Sequence, residues 1–187
     1  VIMAAGFGSR MVPVTLVTPK PLVKVNGTRI IDTIIDALLE KGIDDITIVR
    51  GYLKHKFNEL LVKYPMLKFV DNDLYNEANN IYSMYLVKDR LQNAYVFDGD
   101  LFLYNRDIIE TYHYTSNFLA FKTAKSDDWC FDTKGDRILS FVRGGENTWQ
   151  ETPISYWSRE DGKRLEEDIE KVFYMPGGKE LLLENVP

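Results

Sequence analysis

A chain of 187 residues has room for one domain with a full hydrophobic core, and 45% apolar with 27% charged residues is the balance of an ordinary globular protein. The formal charge of −5, with no Lys/Arg run longer than two residues, argues against a nucleic-acid partner, because a phosphate backbone needs a basic face. No apolar run approaches the roughly 18 residues that would cross a membrane, and a single cysteine, Cys130, excludes an internal disulfide and fits a reducing, cytoplasmic setting.

In chain order, Val1 to Met3 reads as the end of a buried strand that runs into a turn-prone loop, Ala4-Ala5-Gly6-Phe7-Gly8-Ser9-Arg10. A strand of ordinary length would begin earlier, so the chain reads as a fragment of a longer one. Ile30, Ile31, Ile34, Ile35, Leu38 and Leu39 repeat at helical spacing, and Gly42 is a plausible terminator. Ile46 to Val49 is a β-rich run stopped by Gly51. Phe57, Leu60 and Leu61 predict a second helix, and Leu67 to Val70 a third strand. Ile81, Tyr85 and the run from Lys88 to Leu91 predict another helix, capped near Asn79 or Asn80. Ala94 to Phe97 is a fourth strand, ending in Asp98-Gly99-Asp100.

This alternation predicts an α/β fold with a mostly parallel sheet flanked by helices. Beyond it, residues 118–121, 129–131, 138–142 and 154–157 are strand-like with little helix between them, which predicts antiparallel pairing and a turn at Lys134-Gly135. Ser158 followed by Asp161 opens a polar helix through Phe173, which Met175-Pro176-Gly177-Gly178 breaks. The expected organisation is a single domain over residues 1–187, with a mostly parallel part over 1–115 and an antiparallel part over 116–187.

The glycine loop carries the chemistry. Small residues after a strand let backbone N–H groups approach a phosphate, and Arg10 and Lys20 add two cations suited to a triphosphate. A third glycine at dinucleotide-fingerprint spacing is missing, and so is a G-K-[ST] P-loop. A bare GxG is more often a surface turn; the two cations and the prolines at set positions favour binding. Asp98 and Asp100 stand where a parallel strand ends, the usual ligand end of an open sheet. Two acids there suit Mg²⁺, and a polar turn is the equal alternative. Asn79, Asn80 and Ser83 are candidates either for nucleotide contacts or for helix capping. His55 and His113 stand without a partnered nucleophile motif.

The stretch from Met3 to Arg10, then Pro13, Thr15 and the run Pro19-Lys20-Pro21-Leu22-Val23-Lys24-Val25-Asn26-Gly27, resembles the signature of the nucleotidyltransferases that make sugar nucleotides and related activated alcohols. Residues 50–54, 75–83, Trp129, 154–157 and 175–180 narrow the resemblance to the bacterial CTP:phosphocholine cytidylyltransferases, and it extends over essentially the whole chain. The resemblance implies a Rossmann-like nucleotide-diphospho-sugar transferase fold, a nucleotide-binding part over 1–115 and a small antiparallel acceptor-binding part over 116–187, CTP and phosphocholine as substrates, and CDP-choline and pyrophosphate as products. It implies that Lys20, Arg10 and Asp100 are catalytic, and that Ala4, Ala5, Gly6, Gly8, Ser9, Asn79, Asn80, Ser83 and Asp98 meet the nucleotide.

It carries Mg²⁺ mainly onto Asp100, with Glu184 where relatives have an Asp after aromatic residues; here Leu182 and Leu183 precede it. A trimethylammonium has no N–H to donate and is recognised by aromatic faces and carboxylates, which brings in Trp129 and one of Tyr156 and Trp157, since neighbours on a strand face opposite ways. Some relatives fuse this domain to a choline kinase-like domain. A sugar 1-phosphate, phosphoethanolamine or aminoalkylphosphonate acceptor, or a non-catalytic nucleotide-binding module, are the rival expectations.

Overall fold

The computed structural model describes residues 1–78 and 80–181. Its centre is a six-stranded sheet, ordered β5-β4-β1-β6-β8-β7, formed by β1 (Ile2–Ala4), β4 (Thr47–Arg50), β5 (Lys68–Asp71), β6 (Ala94–Asp98), β7 (Asn117–Lys134) and β8 (Arg137–Trp157). A two-stranded ribbon of β2 (Lys24–Val25) and β3 (Thr28–Arg29) stands apart. The first four strands of the sheet run parallel, while β8 lies antiparallel to β6, and β7 to β8. Successive connections from β1 lead first to β4 and β5 on one side, then to β6 on the other. The strand order therefore reverses between β1 and β6, where an open α/β sheet forms its ligand crevice.

The sheet is covered on both faces, and β6 shows why. Its period of two sends Tyr95 and Phe97 into a core with helix α1 (Ile30–Glu40), and sends Val96 into a second core with α2 (Asn80–Leu86) and α3 (Arg159–Tyr174). Helix α1 buries Ile31, Ile34, Ile35 and Leu38 against Ile2 and Ile48. Burial of each such side chain contributes about 1.5–3 kcal/mol. Gly42, at φ +75°, ends α1, and the Ile43 N–H donates back to the Leu38 carbonyl at 2.9 Å.

Two expected helices differ from the structure. Residues 54–62 form a 3₁₀ helix, entered through Leu53 in the left-handed region and without a side-chain cap, although Phe57 and Leu60 are buried as the pattern requires. The helix expected up to Leu91 stops as α2 at Leu86, and a 3₁₀ turn follows at Lys88–Arg90. There Lys88 reaches Glu170 and Glu166 of α3, at 3.3 and 3.7 Å.

The four strand-like runs are segments of one long hairpin. Gly135, at φ +62°, sits in its two-residue turn, between the paired Lys134 and Arg137. Bulges near Ser126 to Trp129 and Gly144, at φ +73°, bend both strands, and the outer arm folds back. Phe131 consequently pairs with Phe141 on one side and with Trp149 on the other. Helix α3 opens as predicted: Ser158 Oγ accepts from the Asp161 N–H at 3.2 Å.

Candidate active site

The glycine loop is shaped from behind. Gly8 lies at φ +70°, and a Cβ on it would sit 3.1 Å from Thr15 Cγ2 and 3.2 Å from Lys20 Cβ. Buried Thr15 donates from Oγ1 to the Gly8 carbonyl at 2.9 Å. The loop therefore rests directly on the turn that carries Lys20. On its other flank the Ala5 carbonyl accepts from the Tyr52 N–H at 3.0 Å.

Opposite the loop, Gly99 N–H donates to the Met3 carbonyl at 2.7 Å, continuing the β1–β6 pairing one residue past the strand. A side chain at Gly99 would meet the Ala4 Cβ at 3.1 Å, so only glycine lets Asp98 and Asp100 flank β1 this closely. Lys20 Nζ then donates to Asp100 Oδ2 at 2.6 Å. The lysine and the carboxylate, 80 positions apart in the chain, meet at the reversal of strand order.

Two adjoining cavities open from this junction. The first, about 300 Å³, is lined by Ala4, Ala5, Gly6, Gly8 and Lys20 from the loop side, and by Asn80, Ser83, Asp98 and Asp100 across from them. The second, about 440 Å³, shares Met3, Asn80, Asp98 and Asp100 with the first and extends to Arg10 and to the hairpin residues Asp128, Trp129, Arg143 and Glu151. The backbone N–H of Trp129 donates to Asp128 Oδ1 at 2.9 Å, and both residues line this cavity.

The other expected site residues lie elsewhere. Ser9 is exposed at the start of a 3₁₀ turn, outside both linings. Tyr156 points to the α1 face, packed on Tyr95 and on His113, at ring-centroid distances of 5.4 and 4.5 Å. His113 thus serves in packing, and it is hydrogen-bonded to the Tyr95 hydroxyl. Trp157 points the opposite way, edge-on to Phe118, and donates from Nε1 to Ser155 Oγ at 3.1 Å. The strand alternation that separates these two rings sends both of them into packing, because β8 is covered on each face. Asn79 and Glu184, with Leu182 and Leu183, lie outside the described residues.

Sequence reasoning missed Asn72. It is buried at the first cavity, donates from Nδ2 to Ser83 Oγ at 2.8 Å and accepts the Leu74 N–H at 2.9 Å. It directly follows β5, and the carboxyl end of a parallel strand was the available signal. Ser83 is thereby fixed by Asn72 as well as facing the cavity. Arg143 and Glu151 were also missed, because only the folding back of the hairpin brings them to the second cavity. Among the described residues no cluster of three His, Cys, Asp or Glu side chains is poised for a metal; Asp98 and Asp100 are the acids at the junction.

This combination of reversed sheet, glycine loop, lysine and paired acids defines a nucleotidyltransferase. Residues 1–134 match the nucleotidyl transferase family model, and the chain belongs to that family. Among individual proteins, it is 37% identical to a 2-aminoethylphosphonate cytidylyltransferase of Lancefieldella rimae, across 100% of this chain and 77% of that protein. It is 35% identical to a choline-phosphate cytidylyltransferase of Streptococcus pneumoniae, across 92% of this chain and 76% of that one. A solved CTP:phosphocholine cytidylyltransferase from Streptococcus pneumoniae superposes with a TM-score of 0.93 at 33% identity, covering 99% of this chain and 81% of that structure.

Proposed function

We propose that this protein transfers CMP from CTP to phosphocholine, giving CDP-choline and pyrophosphate. The observation that carries the reading is the pair of cavities joined at Lys20 and Asp100, one walled by the glycine loop and the other lined by Trp129 and Asp128. The cytidylyltransferases similar to this chain support the nucleotide choice.

In this reading the triphosphate lies along the loop from Gly6 to Gly8, with backbone N–H groups and the Lys20 ammonium meeting its charge. Arg10, on the second cavity, faces the incoming phosphate. An acceptor phosphate oxygen attacks the α-phosphorus in line with the departing pyrophosphate. One P–O bond forms as the bridging bond to the β-phosphate breaks. The nucleophile is already an anion, so no general base is needed, and catalysis is positioning with charge stabilisation. At the far end Trp129 presents a π face and Asp128 a counter-charge to the trimethylammonium.

Mg²⁺ suits the acids at the junction. One or two carboxylates plus substrate phosphates form the usual magnesium environment, and Asp100 with Asp98 beside it provides hard oxygen donors on both cavities. When bound, the ion would offset negative charge developing on the phosphates. Lys20 holds Asp100 in place meanwhile. The second acid proposed for the ion is Glu184.

A 2-aminoethylphosphonate acceptor is the second reading. It is favoured by the similarity to the Lancefieldella rimae enzyme and by the carboxylates of Asp128 and Glu151 at the second cavity, which suit a primary ammonium. The test is pyrophosphate release from CTP with phosphocholine, 2-aminoethylphosphonate or glucose 1-phosphate. Phosphocholine should be used with the highest kcat/KM. Equal or better use of the sugar phosphate would sink the assignment, and preference for the phosphonate would establish the second reading.

A further inference from the structure

The ring face proposed above for the acceptor's cation already holds one. Arg143 Cζ lies 5.4 Å from the Trp129 ring centroid, and its guanidinium is 3.9 Å from Asp128 Oδ1. The indole and the carboxylate at the far end of the second cavity therefore both face a cation belonging to the protein itself. Arg143 reaches them because the chain turns at Gly144, where a left-handed backbone brings Arg143 opposite Trp129 in the hairpin register. Both charged side chains remain 62% exposed, so the guanidinium has open solvent to move into.

We propose that Arg143 is a resident competitor for the cation subsite and narrows the enzyme's preference for a quaternary over a primary amine. The inference rests on the functional reading above. A trimethylammonium has no N–H to offer, so nearly all of its recognition must come from the indole face, and it has to displace the guanidinium. A primary ammonium is recognised mainly by carboxylate oxygens, and Glu151 lines the same cavity as well as Asp128, so that ammonium leaves the indole face to Arg143. The guanidinium therefore penalises phosphocholine more than 2-aminoethylphosphonate. Its hold is that of an exposed cation–π contact and a long ion pair, weak enough for a ligand to overcome.

Arg143→Gln tests this, since it keeps the length and polarity of an exposed side chain and removes its charge. Dissociation constants for phosphocholine and 2-aminoethylphosphonate are measured by titration calorimetry on both proteins, together with KM for each acceptor. The expected result is an affinity for phosphocholine about two- to tenfold higher in the variant, with a smaller change for the phosphonate. A shift in the ratio between the two ligands is a readout that general loosening of the hairpin would not produce. Unchanged or weaker phosphocholine binding would overturn the proposal, and so would an equal gain for both ligands. Should wild-type protein turn over neither acceptor, the functional reading falls, while the calorimetric affinities still decide the role of Arg143. Absence of measurable binding of either ligand to both proteins overturns that role too.

Discussion

Lys20 and Asp100 form an exposed ion pair, and such pairs add only about 0–1 kcal/mol to stability. In the proposed reaction their worth is chemical. Lys20→Ala should lower kcat/KM by about 10²–10³, the loss typical of one preorganised charge-stabilising donor, while thermal melting shifts little; steady-state pyrophosphate release and calorimetry check both. Asp100→Ala should remove the response of turnover to Mg²⁺ and leave the fold intact, which a Mg²⁺ titration of activity and circular dichroism read together. The loop, Lys20 and the Asp98-Gly99-Asp100 acids were legible because each is a dense local signal in the sequence. Asn72 and Arg143 were not, since one is a single polar residue beside a strand and the other acquires its role only when a hairpin bends. The packing of Tyr156 and Trp157 was not legible for a related reason: an aromatic pair looks alike in sequence whether it meets a ligand or fills the two cores of a strand covered on both faces.

Among the elements, helix α3 has the most readily tested start. Ser158 Oγ caps it, and the Asp161 carboxylate accepts from Ser116 Oγ at 2.5 Å and from Ser158 Oγ at 2.9 Å. These hydroxyl donors hold the Asp161 carboxyl below its ordinary value, against the opposing effect of burial. The stability it lends is complete above the ordinary carboxylate range and is lost as pH falls through the lowered value, below about pH 4. Asp161→Asn should therefore flatten the acid limb of a melting-temperature profile, where an unchanged limb would assign acid sensitivity elsewhere. Ser158→Ala should cost about 1 kcal/mol, or about 2–4 °C in Tm for a chain of this size. Element types were legible wherever a pattern persisted, as in α1, α3 and the strands. The 3₁₀ segment at 54–62 was not, because burial of Phe57 and Leu60 satisfies either helical pitch, and periodicity does not report which hydrogen bonds form.

Over the whole molecule, the sides proposed for nucleotide and for acceptor are built by different means. The first is the reversal of strand order in a parallel sheet; the second is a bent hairpin hung on β6 through four residue pairs, from Ala94–Trp157 to Phe97–Ile154. The two sides should therefore be separable by mutation. Gly144 lies at φ +73° with its Cβ position 3.2 Å from the Ser126 carbonyl. Gly144→Ala places a side chain in a backbone region that costs it about 1–2 kcal/mol. It should raise acceptor KM several-fold while CTP affinity, measured by calorimetry, stays constant; a parallel loss of CTP affinity would show that the bend supports both sides.

Phe118, Asp128, Trp129, Arg143 and Glu151, drawn from β7 and β8, all face the second cavity, and they belong to one uninterrupted run of chain. A single recombination spanning that run would exchange the hairpin wall of this chamber and leave in place its opposite wall, which includes Met3, Arg10, Asn80, Asp98 and Asp100.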